Sequence, residues 1–295
     1  MILEAPNNLI VEAAHHRLRF SEGPLLMGVL NVTPDSFFDG GLYENQTSAI
    51  ARAKQMVEEG ADMIDIGAES SRPGSNPISE REELKRLIPI VEAVHDAVLV
   101  PLSVDTTKAE VARRAIQAGA AIVNDISALT FDPDMARVVS ESGAAVVLMH
   151  MQGVPRTMQR APHYGDVVKE VRAFLADRIQ AADAAGISRK RIILDPGIGF
   201  GKLLEHNLTL LAHLKMLTAL GRPLLVGTSR KGFIGQILDQ SVRERLFGTA
   251  AAVAMAVQQG AAMLRVHDVG AMRDVIRTVT AIMQHTEQDQ QVPHA

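Results

Sequence analysis

The chain has 295 residues, 47% of them hydrophobic and 22% charged, which is enough for one full core or two smaller ones. A formal net charge of −4 and 3% aromatic residues give neither a basic field nor stacking platforms for nucleic acid. The chain has no cysteine, which excludes disulfides, thiol nucleophiles and thiolate zinc sites and fits a reducing cytoplasm.

Residues 1–10 lack the basic-then-apolar order of a secretory leader, and no apolar run reaches membrane-spanning length. Residues 9–20 alternate partly and contain His15 and His16, which predicts a hairpin within a 1–24 extension. A first strand is expected at 25–30. A pattern then recurs: Gly-Ala, a short apolar run, and a polar end. It begins at Gly60, Gly119, Gly143 and Gly260. Glycine past a helix end supplies the left-handed residue that stops the helix, and each following run has strand length. Further strands are expected at 100–105, 191–195 and 223–227. Amphipathic segments at 47–59, 80–97, 108–118, 133–142, 165–185, 205–220 and 242–259 separate them. About eight strand–helix units predict a single-domain (β/α)8 TIM barrel over 25–283, with an open doubly wound sheet as the alternative. A frayed polar tail is expected over 284–295.

The expected strand ends carry the polar residues. In order they are Asn31, Asp65, Asp105, Asn124 with Asp125, His150, Asp195, Ser229 to Lys231, and Arg265 with His267. Polar groups gathered at one end of apolar strands describe a pocket rim. Singly, Asp105 and Asp125 fit helix caps equally well, and His150 and His267 fit structural imidazoles. Arg265 follows Met263-Leu264 and needs a partner, because an unpaired buried charge is costly. Residues 224–235 read as a strand, a turn and a helix start. Thr228 and Ser229 are expected as N-caps, with Arg230 and Lys231 adding cations for an anionic ligand. The loop Gly197-x-Gly199-x-Gly201-Lys202 has neither Walker A nor dinucleotide spacing. It is expected to be a flexible rim loop presenting Phe200.

Taken in order, these motifs resemble the dihydropteroate synthase family of the folate pathway. The matching segments begin with Met27-Gly28-Val29-Leu30-Asn31-Val32-Thr33-Pro34-Asp35-Ser36-Phe37, Glu69-Ser70-Ser71-Arg72-Pro73-Gly74 and Ser103-Val104-Asp105-Thr106. They continue with Asn124-Asp125-Ile126, Leu148-Met149-His150-Met151, Leu194-Asp195-Pro196-Gly197, Ser229-Arg230-Lys231 and Arg265-Val266-His267-Asp268.

The resemblance implies an enzyme that joins p-aminobenzoate to the dihydropterin methyl diphosphate, by diphosphate loss and a pterin-methylene cation. It implies a pterin pocket of Asp105, Asn124, Asp195, Lys231 and Met149. Diphosphate would be held by Asn31, Ser71, Arg72, Arg265 and His267, with Mg²⁺ at Asn31. Aminobenzoate would meet Phe37, Ser71, Pro73, Phe200 and a helix N-terminus at Ser229. Lys231, Asp39, Arg265 and His267 are the implied catalytic set. A cytoplasmic homodimer, with no nucleic acid or membrane partner, is also implied. Ser71 stands where many members have Thr, and Phe38 where many have Ser or Thr, which bears on sulfonamide affinity. Removal of Arg265 is expected to lose most activity, weaken diphosphate binding and leave the fold intact. The rival readings are a pterin-binding methyltransferase acting on methyltetrahydrofolate, a Schiff-base aldolase using Lys231, and a catalytically inactive binding barrel.

Overall fold

A computed structural model describes residues 9–32, 42–70 and 72–289. Two short strands open it, β1 (Ile10–Ala13) and β2 (His16–Arg19), paired antiparallel with Val11 opposite Leu18. Eight strands follow: β3 (Leu25–Asn31), β4 (Met63–Gly67), β5 (Leu102–Asp105), β6 (Ala120–Asp125), β7 (Ala145–Met149), β8 (Ile192–Asp195), β9 (Leu225–Val226) and β10 (Met263–Val266). They form one sheet in the order β8-β7-β6-β5-β4-β3-β10-β9, and the paired strands run parallel. A parallel bridge from Leu194 to Leu224 brings β8 to β9, and the Leu194 N–H donates to the Pro223 carbonyl at 2.9 Å. The two edges therefore meet, and the architecture is the (β/α)8 barrel rather than the open sheet.

Ten helices are described: α1 (Leu42–Glu58), α2 (Glu80–His95), α3 (Ala109–Gln117), α4 (Met135–Ser142), α5 (Val167–Ala184), α6 (Leu204–Ala212), α7 (Lys215–Thr218), α8 (Gly232–Leu238), α9 (Leu246–Gln258) and α10 (Val269–Asp289). Local chemistry sets their ends. The Ser79 hydroxyl caps α2 by accepting from the Glu82 N–H at 3.2 Å, and Asp166 caps α5 by accepting from the Lys169 N–H at 3.1 Å. Gly143 ends α4 at φ 77, the left-handed conformation its sequence context predicts.

Three boundaries differ from the sequence reading. The segment expected as one helix over 205–220 is α6 and α7, because the chain leaves the helical path at His213. Helix α10 is an addition. Its buried Val269, Met272 and Ile276 recur at i, i+3 and i+7, a signal present in the sequence. It continues to Asp289, past the Gln284 boundary, since Gln, Glu and Thr are compatible with helix where no packing is needed. Residues 290–295 lie outside the described residues.

One core layer fills the space between strands and helices, with Leu26, Ile64, Ile66, Val104, Leu148, Leu175 and Val253 fully enclosed. A second lies inside the barrel. There Leu9, Val11, Ala13, Leu18 and Phe20 of the hairpin region pack with Met27, Met63, Ile122, Val147, Ile193 and Leu225. The hairpin thus covers the N-terminal ends of the strands and leaves the other end open for chemistry. Leu18 is 6% exposed, so Leu18→Ala is expected to cost about 2–4 kcal/mol, read as a lower denaturation midpoint. An unchanged midpoint would mean that the hairpin contributes nothing to the core.

Candidate active site

Parallel register assembles the site. It places Asp105 beside Asn124, and Met149 beside Asp195, at the C-terminal rungs of neighbouring strands. Asp105, Asn124, Met149, Asp195, Lys231 and Arg265 line one pocket. Ile126, Ile198, Phe200 and Gly227 complete its wall. Five residues expected around a pterin therefore surround a single cavity, together with Arg265, expected for diphosphate, and Phe200, expected for aminobenzoate.

Arg265 is doubly engaged. Its Nε donates to Asp65 Oδ2 at 2.6 Å, and its Nη2 donates to Asp105 Oδ2 at 3.0 Å. The two carboxylates outweigh burial, so the guanidinium is held above its ordinary pKa. Asp65 was seen at a strand end but given no role from sequence. It is fully buried, and it also accepts from Asn124 Nδ2 at 3.1 Å. One carboxylate thus orients both an expected pterin ligand and the clamp arginine. The available signal was Asp65 itself, a charged residue inside the apolar run Met63–Gly67. Burial pushes the Asp105 carboxyl up, against the pull of Arg265 and with that of Asp65. Since Arg265 bonds both buried carboxylates, its removal is expected to disturb the fold as well as the chemistry, where the sequence reading expects an intact variant.

Lys231 and Asp195 face the same pocket. Burial lowers the Lys231 ammonium to about 8, with Asp195 opposing the shift. Its Nζ stands 4.1 Å from the centroid of the Phe200 ring, a cation–π contact. Burial raises the Asp195 carboxyl, while the Gly197 N–H, which donates to Oδ1 at 2.7 Å, works the other way.

The basic turn after β9 differs from its sequence reading. Helix α8 starts at Gly232 with Lys231 as its N-cap residue, so neither Thr228 nor Ser229 caps it. The cause is Arg230, which takes φ 56 and breaks the path between the strand and the helix. Arg230 offers no free cation either. It grips Asp268 through Nε at 3.0 Å and Nη2 at 2.5 Å. The Ser229 hydroxyl accepts from the His267 N–H at 3.2 Å and lies 3.0 Å from His267 Nδ1. Burial, then Arg265 and Arg230, lowers His267 to about 4, so the ring is neutral at pH 7 and brings hydrogen bonding rather than charge.

The glycine-rich loop is tied down, not flexible as the sequence reading has it. Asn207 Oδ1 accepts from the Gly199 N–H at 2.6 Å. The Gly199 carbonyl accepts from Gln159 Nε2 at 2.7 Å, and the Gly201 carbonyl accepts from the Tyr164 hydroxyl at 2.8 Å. Gly197 and Gly201 have φ 67 and 60, and a Cβ at either would collide with the carbonyl oxygen of His150 or Gln152. The glycines permit close approach, and side chains supply the order. Lys202 lies beneath, its Nζ 2.9 Å from His150 Nδ1.

Other expected residues fall elsewhere. Asp125 is structural: its carboxylate accepts from Ser127 N–H and Oγ–H and from Leu129 N–H, holding the next turn. Arg72 and Pro73 are exposed. Phe37, Asp39 and Ser71, with Phe38, lie outside the described residues. Asn31 ends β3 half-buried, and its side chain makes no hydrogen bond among the described residues. No cluster of three or more His, Asp or Glu able to hold a metal by itself occurs among the described residues. One neutral amide oxygen suits Mg²⁺ where phosphate oxygens and water fill the rest of its shell, so this donor set fits that ion. No described helix is long and apolar enough to cross a membrane.

A barrel with polar strand ends converging on one pocket defines a class, and the family comparison names it. Residues 27–267 match the family described as pterin binding enzyme, and the chain belongs to that family. Relatives within it at 42–50% identity are dihydropteroate synthases. The enzyme of that name from Synechocystis sp. is 50% identical over 258 residues, which is 87% of this chain and 89% of the relative. A Yersinia pestis dihydropteroate synthase solved with a sulfonamide drug superposes with a TM-score of 0.88 at 44% identity, covering 94% of this chain and 100% of that one. The Xanthomonas albilineans dihydropteroate synthase solved with 7,8-dihydropteroate gives 0.83 at 42% identity, covering 96% and 100%.

Proposed function

We propose that this protein catalyses the dihydropteroate synthase reaction, an alkyl transfer of folate biosynthesis. The observation that carries the reading is the single pocket in which Asp105, Asn124, Asp195 and Lys231 meet Arg265. A pterin edge alternates donors and acceptors, and carboxylate, amide and ammonium match it. A site of buried polar groups also rejects analogues that would leave them unpaired. Met149 packs on the ring face.

The reaction needs the methylene–oxygen bond to break, with its electron pair leaving on the diphosphate. The aminobenzoate nitrogen then bonds the methylene carbon and releases a proton. Arg265 places positive charge where the leaving group gains negative charge, while the Lys231 ammonium serves the pterin edge. Neutral His267 and the Asn31 amide add hydrogen-bonding capacity, and Arg72 and Ser71 belong to the same anion site. Mg²⁺ held at Asn31 with substrate oxygens would neutralise charge on the leaving diphosphate. The aminobenzoate ring meets Phe200 and Pro73, with Phe37 and Ser71 from the loops. Ser229 is proposed for the aminobenzoate site through its hydroxyl, which is held by the His267 N–H, and without a helix terminus behind it. By the resemblance alone, Asp39 is assigned to the catalytic set.

We assign the molecule to a 1–24 extension and a catalytic barrel that begins at residue 25 and includes α10 as far as Asp289. We further propose a cytoplasmic homodimer. Helices α8 to α10 leave Ile237, Leu246, Met255 and Ile282 exposed and Phe247 83% exposed, which suits a second copy. Light scattering at the monomer mass would remove that part.

The deciding experiment combines purified protein, Mg²⁺, the dihydropterin methyl diphosphate and p-aminobenzoate. Dihydropteroate is the expected product, and none above a heat-killed control overturns the reading. Its pH dependence follows from Lys231. The ammonium is present below about 8 and is lost as pH rises through that value. The kcat/KM for the pterin substrate is therefore expected to fall on the alkaline side of about pH 8, because that ratio reports the free enzyme. A profile flat to about pH 9.5 would exclude the charged lysine from binding.

A further inference from the structure

Lys202 is 3% exposed behind the pocket wall, and the reaction described above gives it no task. Its Nζ meets four acceptors: His150 Nδ1 at 2.9 Å, the Gly197 carbonyl at 2.9 Å, the Phe200 carbonyl at 3.0 Å and the His150 carbonyl at 3.4 Å. None of the four carries a negative charge. Burial lowers the Lys202 ammonium to about 7 against the pull of the nearby Asp195 carboxylate, so enclosing this group is costly and a lysine here needs a reason that a methionine would not satisfy.

The reason lies in what the four acceptors belong to. Two carbonyls bracket the turn from Gly197 to Phe200, and the other two acceptors sit on His150, just past the end of β7. One ammonium therefore pins the rim loop to the barrel wall. The pinned turn carries the Phe200 ring, which covers Lys231 Nζ. His150 is suited to its part. Burial and the Lys202 charge lower it to about 3, so Nδ1 keeps a lone pair to accept with and the proton sits on Nε2.

The geometry points to Lys202 as a positioning residue for the aminobenzoate half-site, acting through Phe200: it fixes the aromatic wall that the second substrate meets. The inference rests on the function proposed above. It differs from a purely structural lysine in where a loss appears. A structural lysine would lower stability alone. A positioning lysine raises the KM for aminobenzoate and loses its influence once the Phe200 ring is gone.

A double-mutant cycle separates the two. Lys202→Met, Phe200→Ala and the double variant are assayed for kcat and for the KM of aminobenzoate. Calorimetry gives the affinity for the dihydropterin methyl diphosphate. Lys202→Met is expected to raise the aminobenzoate KM about tenfold while pterin affinity stays within about threefold. In the Phe200→Ala background the same change is expected to add less than about twofold. Additive effects overturn the proposal. So does an unchanged KM with a lowered melting temperature, or a pterin affinity that falls as far as the aminobenzoate KM rises. If Lys202→Met does not fold, Lys202→Gln keeps amide donors and takes its place in the cycle. The unaltered protein gives a further reading, since a pinned loop exchanges its amide hydrogens slowly over 197–202 and fast exchange there overturns the tether. Wild-type protein that makes no dihydropteroate ends the proposed function and leaves exchange to decide the tether. Active wild type with an additive cycle ends only the inference about Lys202.

Discussion

Arg265→Ala is expected to lower kcat/KM by about 10²- to 10³-fold and to destabilise the protein at the same time. The first effect follows from removing a cation aimed at a leaving diphosphate, where one lost donor has that size of consequence. The second follows from the two carboxylates. Asp65 is wholly buried and Asp105 nearly so, and both bond this guanidinium. Removing one partner of a buried ion pair leaves uncompensated charge and costs about 3–5 kcal/mol. Part of that cost is relieved if Asp105, already raised by burial, takes a proton. Arg265→Lys keeps the charge without the two-pronged geometry, so it should fall between wild type and Ala in both readouts. Steady-state kinetics and thermal melting check the pair. Near-normal turnover would show that the leaving group is held elsewhere, and lost activity with an unchanged melting temperature would show that the ion pairs add nothing to the fold.

Asp195→Asn is expected to weaken dihydropterin binding by about 10²- to 10³-fold, measured by calorimetry. Asparagine can still accept the Gly197 N–H through its side-chain oxygen, so the rim loop keeps its anchor. What disappears is the negative charge, and with it a charge-assisted hydrogen bond worth about 1.5–3 kcal/mol. An amide nitrogen also meets a pterin donor with another donor, which a buried polar site penalises heavily. Lys231 loses a stabilising neighbour as well, so its ammonium should titrate below its present value and the alkaline limb of the pH profile should move to lower pH. Unchanged affinity would remove Asp195 from pterin recognition.

Much of this was legible from the chain alone. Glycine at helix ends and apolar runs too short for helices marked the alternation, because those residues obey local rules. Polar residues at the ends of the apolar runs marked the rim, because a charge at a strand end needs water, a partner or a ligand. Asp105, Asn124, Asp195, Lys231 and Arg265 stood out on that ground before any coordinates. Helix α10 was not assigned from the sequence, although Val269, Met272 and Ile276 carried the signal for it.

The sequence by itself determined the alternation, the rim and the family likeness, since these depend on residue type and near neighbours. Tertiary structure decided closure, made by Leu194 meeting the Pro223-Leu224 segment where the two sheet edges join. It also decided partners. Arg265 reaches Asp65 and Asp105 far away in the chain, Arg230 turns away to Asp268, and Lys202 is enclosed by His150 and a loop that the glycines alone made look loose. Such pairings depend on which side chains strand register and helix packing bring within hydrogen-bonding distance. A linear sequence carries the groups but not the three-dimensional distances that choose among them.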